Sequence, residues 1–298
     1  LLEVGESPVK GLNRVVSDIY RTLKNFSKVG SSNKLIILHG PNGSGKTSLL
    51  DCFAKGLELY SHTPEGACYK FNWVFPHDRA TKSSLGLTTT GIKNKEESYA
   101  HLDESEISSR LIDELKDHPL LLIPIEERQS LLHKLLPEKK LHNLLSDYLS
   151  FGDLSYKNKQ IFETLLTSYQ GDFKKVLRHI QVERFYFSER FLTAITSIEA
   201  QLQVDAHIRQ VTQDKSLALL PSVLQSLNLF EISGDLVAGN RGLIEFNDLL
   251  KRPIDAFKYL IGTLETGAVH LGPANVFLDC VFVASANENQ MDAFKEYP

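Results

Sequence analysis

The stretch Leu35-Ile-Ile-Leu-His-Gly-Pro-Asn-Gly-Ser-Gly-Lys-Thr47 decides the fold of this chain. It begins with a short apolar run that contains β-branched residues, which is typical of a buried strand. Gly40 to Thr47 follow at once and match the pattern G-x-x-x-x-G-K-[ST] at every fixed position. Apolar residues then recur at helical spacing from Leu49 to Leu57. This order of strand, glycine loop and helix predicts an α/β fold with a phosphate-binding loop.

The residue types in the loop explain how phosphates would be bound. Glycines let successive backbone N–H groups turn inward around an anion, and the following helix adds its positive N-terminal end. Lys46 would place a compact cation against the β- and γ-phosphates, and the Thr47 hydroxyl would coordinate Mg²⁺. The alternative is a flexible Gly/Ser loop without a ligand. The predicted nucleotide-binding residues are Gly40, Pro41, Asn42, Gly43, Ser44, Gly45, Lys46, Thr47 and Ser48.

A nucleotide-hydrolysing site also needs a carboxylate at the end of a neighbouring strand, where it holds Mg²⁺ and orients the attacking water. The usual form is four apolar residues followed by Asp-Glu, and this chain contains no such string. The best candidate is Leu243-Ile-Glu-Phe-Asn-Asp248, in which Asn247 and Asp248 take the Asp-Glu places. Asp248 is the first choice as Mg²⁺ ligand, and Glu245 is the reserve. The alternative is a strand end with an exposed carboxylate.

A polar residue at the tip of another central strand commonly contacts the γ-phosphate. Asn287 follows the apolar run Val281-Phe-Val-Ala-Ser-Ala286 and could fill this role. It could equally be a turn former after a strand. The candidate catalytic residues are therefore Lys46, Asp248 and Asn287.

Composition limits the possible functions. The 298 residues carry 33 basic and 37 acidic side chains, so the net charge of −4 gives no general reason to bind nucleic acid or an anionic membrane. The three cysteines form no C-x-x-C pair, which favours a reducing compartment and argues against a cysteine-rich zinc site. We find no signal peptide and no apolar run of about 20 residues, the length that a membrane span needs. A cytoplasmic protein is expected, and the Leu1 start suggests part of a longer chain.

Patterning along the chain predicts further elements and a division into three segments. Helices are expected over 12–29, 106–117, 125–136, 139–150, 157–169, 173–180 and 253–264. Strands are expected over 68–75, 181–187, 193–198, 243–246 and 275–285. The predicted segments are the first part of an α/β core at 1–100, a mainly helical insertion at 101–180 and the second part of the core at 181–298.

Beyond these motifs, the chain resembles a family, the PrkA-type serine protein kinases of bacteria, in their N-terminal AAA+ portion. The resemblance covers nearly the whole chain and is more specific in the second half. The matching stretches include Gly40–Ser48, Tyr69–Val74, Val182–Phe185, Val204–Gln210, Ser226–Glu231, Gly234–Leu236, Asn240–Phe246, Asp248–Pro253, Ser285–Glu288 and Asp292–Glu296.

The resemblance implies an AAA+ core with a doubly wound parallel sheet, ATP and Mg²⁺ as cofactors and a protein substrate. A homo-oligomer is compatible with it, but the sequence leaves the oligomeric state open. By position, Asn247-Asp248 fall where AAA+ proteins usually have Asp-Glu, and Asn287 falls on the sensor position. Asn247 departs from that pattern, which affects Mg²⁺ binding and hydrolysis more than nucleotide binding. The chain contains neither the H-R-D-x-x-x-x-N loop nor the D-F-G site of protein kinases, so a kinase-like portion is expected beyond Pro298.

Two other functions remain open at this point. One is an AAA+ remodelling or protease-coupled motor. In an AAA+ ring, Arg241 or Arg252 could complete a neighbouring subunit's site, and the alternative for both is a local structural role. The other is a nucleotide-regulated binding module with little turnover, which the Asn247 departure favours.

Overall fold

The structure is a computed structural model, and it describes residues 9, 11–29, 34–77, 98–136, 147–199, 206–210, 219–227, 229–271 and 274–296. The helices in this part are α1 (Asn13–Val29), α2 (Lys46–Ser61), α3 (Ile125–Leu135), α4 (Asp147–Phe151), α5 (Tyr156–Ser168), α6 (Phe173–Leu177), α7 (Ser222–Gln225), α8 (Asp235–Ala238), α9 (Ile254–Thr266) and α10 (Glu288–Lys295). The strands are β1 (Leu35–His39), β2 (Cys68–Pro76), β3 (Ile107–Leu111), β4 (Ile180–Phe185), β5 (Ile195–Ile198), β6 (His207–Gln210), β7 (Phe230–Ser233), β8 (Leu243–Phe246), β9 (Ala268–Leu271), β10 (Ala274–Phe277) and β11 (Val281–Ala286).

Four strands form a parallel sheet in the order β1-β11-β8-β5. The glycine loop leaves the carboxyl end of β1, while Asp248 and Asn287 follow the carboxyl ends of β8 and β11. All three therefore lie at the same edge of one sheet, where ligands bind in open α/β folds. The mixed α/β fold with a parallel sheet is confirmed.

Both faces of this sheet are buried, as a doubly wound arrangement requires. Leu38, Leu243 and Val283 pack with α1 and α2 on one face. Ile244, Phe246 and Phe282 alternate with them along the strands and pack on the other face, against α8 and α9. The period of two in each strand thus fixes which side chains meet which layer of helices.

A second, antiparallel sheet has the order β3-β2-β4. Phe71, Trp73 and Phe75 alternate along β2 and are fully buried, in a core to which Ile161 and Leu165 of α5 contribute. The Trp73 indole N–H donates to Asn158 Oδ1 at 2.9 Å, so its polar atom is satisfied inside the core.

Two predicted elements differ from the structure, and a third can be compared only in part. The helix predicted over 106–117 is wrong, because Ile107–Leu111 is a strand that pairs with β2. The single strand predicted over 275–285 is also wrong, since β10 and β11 are separated at Leu278–Cys280. Most of the helix predicted over 139–150 lies outside the described residues, and its end is helical as α4.

The segment after β3 is tied to the core by a set of hydrogen bonds that we call the insertion clasp, made by Leu115, Lys116, Asn240 and Arg241. The buried Lys116 ammonium donates to the carbonyl oxygens of Val237, Ala238 and Asn240 at 3.1, 2.9 and 3.2 Å. Asn240 Nδ2 donates to Leu115 O at 2.8 Å, and Arg241 Nη1 donates to Lys116 O at 2.6 Å. Burial lowers the pKa of Lys116 to about 8.

Candidate functional site

The backbone of the loop between β1 and α2 requires glycine. Gly43 and Gly45 have φ values of 79° and 83°, in the left-handed region, and Gly40 has a φ of 154°. A Cβ atom on Gly40 would also approach Ser44 Oγ to 3.2 Å. The loop therefore has a tight shape that the sequence motif specifies residue by residue.

Backbone amides of the loop are available as donors. Ser44 N–H donates to Pro41 O at 3.3 Å, whereas within the described chain the amides of Gly43, Gly45, Lys46 and Thr47 have no backbone acceptor. The last two of these amides open α2, so the positive end of that helix faces the same place. Amide donors of this kind fit the phosphates of a nucleotide, and we take the loop to be suited to that group.

The Lys46 side chain lies over the loop. Its ammonium donates to Gly40 O at 2.8 Å and to Pro41 O at 2.9 Å. A phosphate oxygen is a stronger acceptor than either carbonyl, because it carries a formal charge. The ammonium is thus held next to the amide donors and can exchange its carbonyl partners for an anion.

A cavity of about 530 Å³ adjoins the loop between α1 and β1. Apolar side chains such as Leu12, Val15 and Ile19 line it, together with the polar residues Asp18 and Thr22 of α1. The cavity also includes Gly40, Pro41, Ser44 and Lys46. It combines an apolar wall with the amide donors of the glycine loop, an arrangement that would suit a base joined to phosphates.

Asp248 lies two strands away from the loop at the same edge of the sheet. Leu38 of β1 is paired with Ser285 of β11, and the Asp248 N–H donates to Ser285 Oγ at 3.0 Å. Asp248 has a left-handed backbone with φ 47°, and its carboxylate accepts from the Lys251 ammonium. A Mg²⁺ ion bound by Asp248 would compete with Lys251, a partly exposed partner that contributes little stability.

Asn247 is committed to a structural role. Its Nδ2 donates to Ser197 Oγ at 2.9 Å and to Glu199 Oε1 at 3.1 Å. The side chain therefore connects the end of β8 with the end of β5. Any carboxylate function at this strand end falls to Asp248.

Glu245, the reserve candidate, points to the face of the sheet that α2 covers. It lies inside β8, paired with Val283, and not at the strand end. Burial raises the pKa of Glu245 to about 7, and the carboxylates of Asp51, Glu189 and Glu199 add to the effect. The pKa of Glu245 is therefore perturbed, but its carboxyl group lies inside the sheet and not at the edge where the glycine loop lies.

Asn287 directly follows β11 and is the N-cap of α10. The backbone N–H of Asn287 donates to Gln290 Oε1 at 3.1 Å and not to a neighbouring strand. The backbone carbonyl of Asn287 accepts from the Met291 N–H at 3.0 Å. Since His39 is paired with Ala286, Asn287 lies beside Gly40 at the loop. The structure thus brings Asn287 and the loop together and gives Asn287 a capping role as well.

The two arginines near β8 have local contacts. Arg241 precedes β8, at the edge of the sheet opposite the loop, and donates to Tyr69 O and Lys116 O. Arg252 is buried and donates to Glu199 O. Among the residues that the structure describes, no three His, Cys, Asp or Glu side chains are grouped as a metal site would require.

The sequence analysis missed the insertion clasp and Ser285. The clasp joins residues more than a hundred positions apart, so no local spacing could reveal it. The run Asp113-Glu-Leu-Lys-Asp-His118 is strongly charged within an apolar region, which is the one signal that the sequence offered. No helix in the described parts is both long and apolar enough to cross a membrane.

Comparison with known proteins places these features in a family. A family model described as the PrkA AAA domain matches residues 106–298. The chain belongs to this family. The match contains β8, β11, Asp248 and Asn287, and it begins after the glycine loop. The PrkA resemblance inferred from sequence is therefore confirmed for the AAA domain.

A curated PrkA protein extends the comparison to the loop. The protein named ATP-dependent protease PrkA, from Bacillus subtilis (strain 168), is 21% identical to the chain over 294 residues. The alignment covers 96% of the chain and 36% of the relative, so it spans the loop, and the chain corresponds to just over a third of that protein's length.

Proposed function

We propose that this PrkA-family AAA domain binds ATP with Mg²⁺ at the loop Gly40–Thr47 and hydrolyses it. The observation that carries the proposal is the loop itself, where amides without a backbone acceptor among the described residues and the Lys46 ammonium meet at the sheet edge that also holds Asp248 and Asn287. The apolar cavity beside the loop would take the base and sugar. Membership of an AAA domain family supports nucleotide binding in general, without assigning it to particular residues.

Each residue of the proposed site would have a distinct role in binding or hydrolysing ATP. Loop amides and Lys46 would bind the phosphates and withdraw charge from the γ-phosphate as the bond to it breaks. Thr47 and Asp248 would hold Mg²⁺, directly or through water, and the ion would neutralise phosphate charge. Asn287 would donate its side-chain amide to the γ-phosphate, beside Gly40. Asn247 is tied to Ser197 and Glu199, so at the end of β8 the proposal leaves only the Asp248 carboxylate for Mg²⁺, and we expect slow turnover.

Two carboxylate variants distinguish Asp248 from Glu245. We expect Asp248→Asn to lower the rate of phosphate release by about tenfold or more, since a Mg²⁺ ligand is lost. Glu245→Gln should change the rate by less than about threefold, because Glu245 lies inside the strand. Both rates are measured at saturating ATP, with unfolding midpoints in urea as a check on folding. A large loss in Glu245→Gln with Asp248→Asn unaffected would transfer the role to Glu245.

For the whole protein we propose two alternative activities. The PrkA resemblance supports a serine protein kinase, whereas the name of the Bacillus subtilis relative supports an ATP-driven protease. A protein is the substrate in both cases. We further propose a cytoplasmic location without nucleic-acid or membrane partners, on the grounds of the near-neutral charge and the cysteine content. The AAA domain match supports a homo-oligomer as a further proposal.

An experiment with γ-labelled ATP separates the two activities. The intact protein is incubated with labelled ATP and casein, a loosely folded protein substrate. Label on serine is expected for a kinase, and casein fragments that appear only with ATP, without label, are expected for a protease. ATP that is bound but never cleaved would contradict both and leave a nucleotide-regulated binding module.

A further inference from the structure

A second cavity lies far from the loop, between the segment that follows β3 and the core. Its volume is about 690 Å³, and its walls come from residues 115, 117, 151–156 and 159 on one side and from residues 266–267, 275 and 277–279 on the other. Tyr148 also lines it, and burial raises the pKa of its phenol, which therefore stays neutral. The nucleotide proposal makes no use of this space.

Among the described residues that line this cavity, Asp279 is the charged one whose side chain has no hydrogen-bond or ion-pair partner. Its backbone N–H donates to Asn240 Oδ1 at 2.8 Å, but among the described residues its side chain accepts no hydrogen bond and has no cation within 4 Å. Arg241 is near enough to act on it electrostatically, yet the Arg241 guanidinium donates to two backbone carbonyls. Burial raises the pKa of Asp279 to about 6, and Arg241 opposes this shift.

The other charged groups of the cavity are satisfied. Asp117 Oδ2 accepts from Ser155 N–H and from Asn158 Nδ2, both at 2.8 Å. The Lys159 ammonium is paired with Asp153. A ligand with a positive charge would therefore meet Asp279 without displacing an existing ion pair.

Three exposed aromatic side chains surround the same cavity. Phe151, Tyr156 and Phe277 line it and are 60%, 44% and 68% exposed. They come from α4, α5 and β10, elements that are distant in sequence. Exposed rings that converge on one opening can pack on a hydrocarbon chain, and their faces attract cations.

We propose that this cavity binds a ligand that carries an ammonium or guanidinium group on an apolar stem, with the cation at Asp279 and the stem between Phe151, Tyr156 and Phe277. The shared chemistry fits a lysine or arginine side chain of a peptide, and it fits a small organic amine. The site shares no lining residue with the cavity beside the loop.

Calorimetric titration of the intact protein with hexylammonium chloride tests the proposal, with 1-hexanol as the neutral probe of similar shape. Hexylammonium should bind at least about tenfold more tightly than 1-hexanol, as expected for a charge-assisted contact. Asp279→Asn should remove that preference. Asp292→Asn, the same change at an exposed carboxylate of α10, should retain it.

A second variant checks the aromatic part of the site. Phe277→Ala alters an exposed side chain and should fold normally, and it should weaken both hexylammonium and 1-hexanol by about threefold or more. Equal affinity for the two probes, or an unchanged preference in Asp279→Asn, would overturn the proposal. So would the absence of binding to the wild-type protein.

A comparison of a peptide with hexylammonium distinguishes a peptide side chain from a small organic amine as the source of the cation. Tighter binding of a capped Phe-Lys-Phe peptide than of hexylammonium is expected for a peptide ligand, and the reverse order for a small amine. The capped peptide Phe-norleucine-Phe is the neutral control. The fluorescence of Trp73, the single tryptophan, gives an independent signal, because its indole is linked through Asn158 to Asp117 in the cavity wall.

Discussion

A Lys46→Ala protein is expected to bind ATP at least about tenfold more weakly than the wild type and to lose about a hundredfold or more in phosphate release. The ammonium is held over the loop by Gly40 O and Pro41 O, where it can reach the phosphates. Its charge should matter more as the γ-phosphate bond breaks than in the bound state, which explains the larger effect on the rate. Titration with a fluorescent ATP analogue and a phosphate-release assay measure the two quantities.

Lys55→Ala is the matched control on the same helix. Lys55 is exposed and paired with Glu58, so its loss should leave ATP binding within about twofold of the wild type. Normal ATP binding by Lys46→Ala would show that the nucleotide lies elsewhere. Because the Lys46 ammonium bonds only to the loop, the variant should fold, and circular dichroism checks this.

Gly242→Ala is expected to destabilise the protein by about 3 kcal/mol or more. Gly242 immediately precedes β8, and a Cβ atom there would lie 1.8 Å from the carbonyl oxygen of Ala194. That oxygen accepts the N–H of Leu243 at 2.8 Å, so moving it would break the contact between β5 and β8. Urea unfolding monitored by circular dichroism measures the free energy.

Gly262→Ala provides the opposite expectation in the same assay. Gly262 lies in the interior of α9, and a Cβ atom there would meet nothing within 4 Å. Alanine should therefore stabilise the helix by about 1 kcal/mol. Similar effects of the two substitutions would contradict the close approach at Gly242.

The elements that sequence predicted well are those whose signals are local. The run Leu35–Leu38 and the loop after it specify β1 and α2 without help from the rest of the chain. The same holds for β8, an apolar run that follows the turn Arg241-Gly242. The nucleotide-binding residues of the glycine loop could likewise be predicted individually, because they are contiguous in the sequence.

The failures depend on distant partners. In 106–117 the apolar residues Ile107, Leu111 and Leu115 recur at helical spacing, yet Ile107–Leu111 pairs with the edge of β2, where Trp73 and Phe75 are already buried. A tertiary partner thus outweighs a weak local preference. The break between β10 and β11 also involves a distant partner, because the Asp279 N–H donates to Asn240 Oδ1 instead of to a strand.

The site was predictable in its parts but not in its arrangement. Asp248 and Asn287 could be proposed from strand ends, whereas their position relative to the loop depends on the strand order β1-β11-β8-β5. The contacts of Asn247 with Ser197 and Glu199 also cross between strands. A single sequence contains no direct record of such pairings.

The insertion clasp has a consequence for how the molecule comes apart. Pulling Lys116 away from Val237, Ala238 and Asn240 would break three hydrogen bonds of its ammonium, at a cost of several kcal/mol. We therefore expect the antiparallel sheet to stay attached for as long as the parallel sheet is intact. Both sheets should then denature together as one cooperative unit, although separate hydrophobic cores support them.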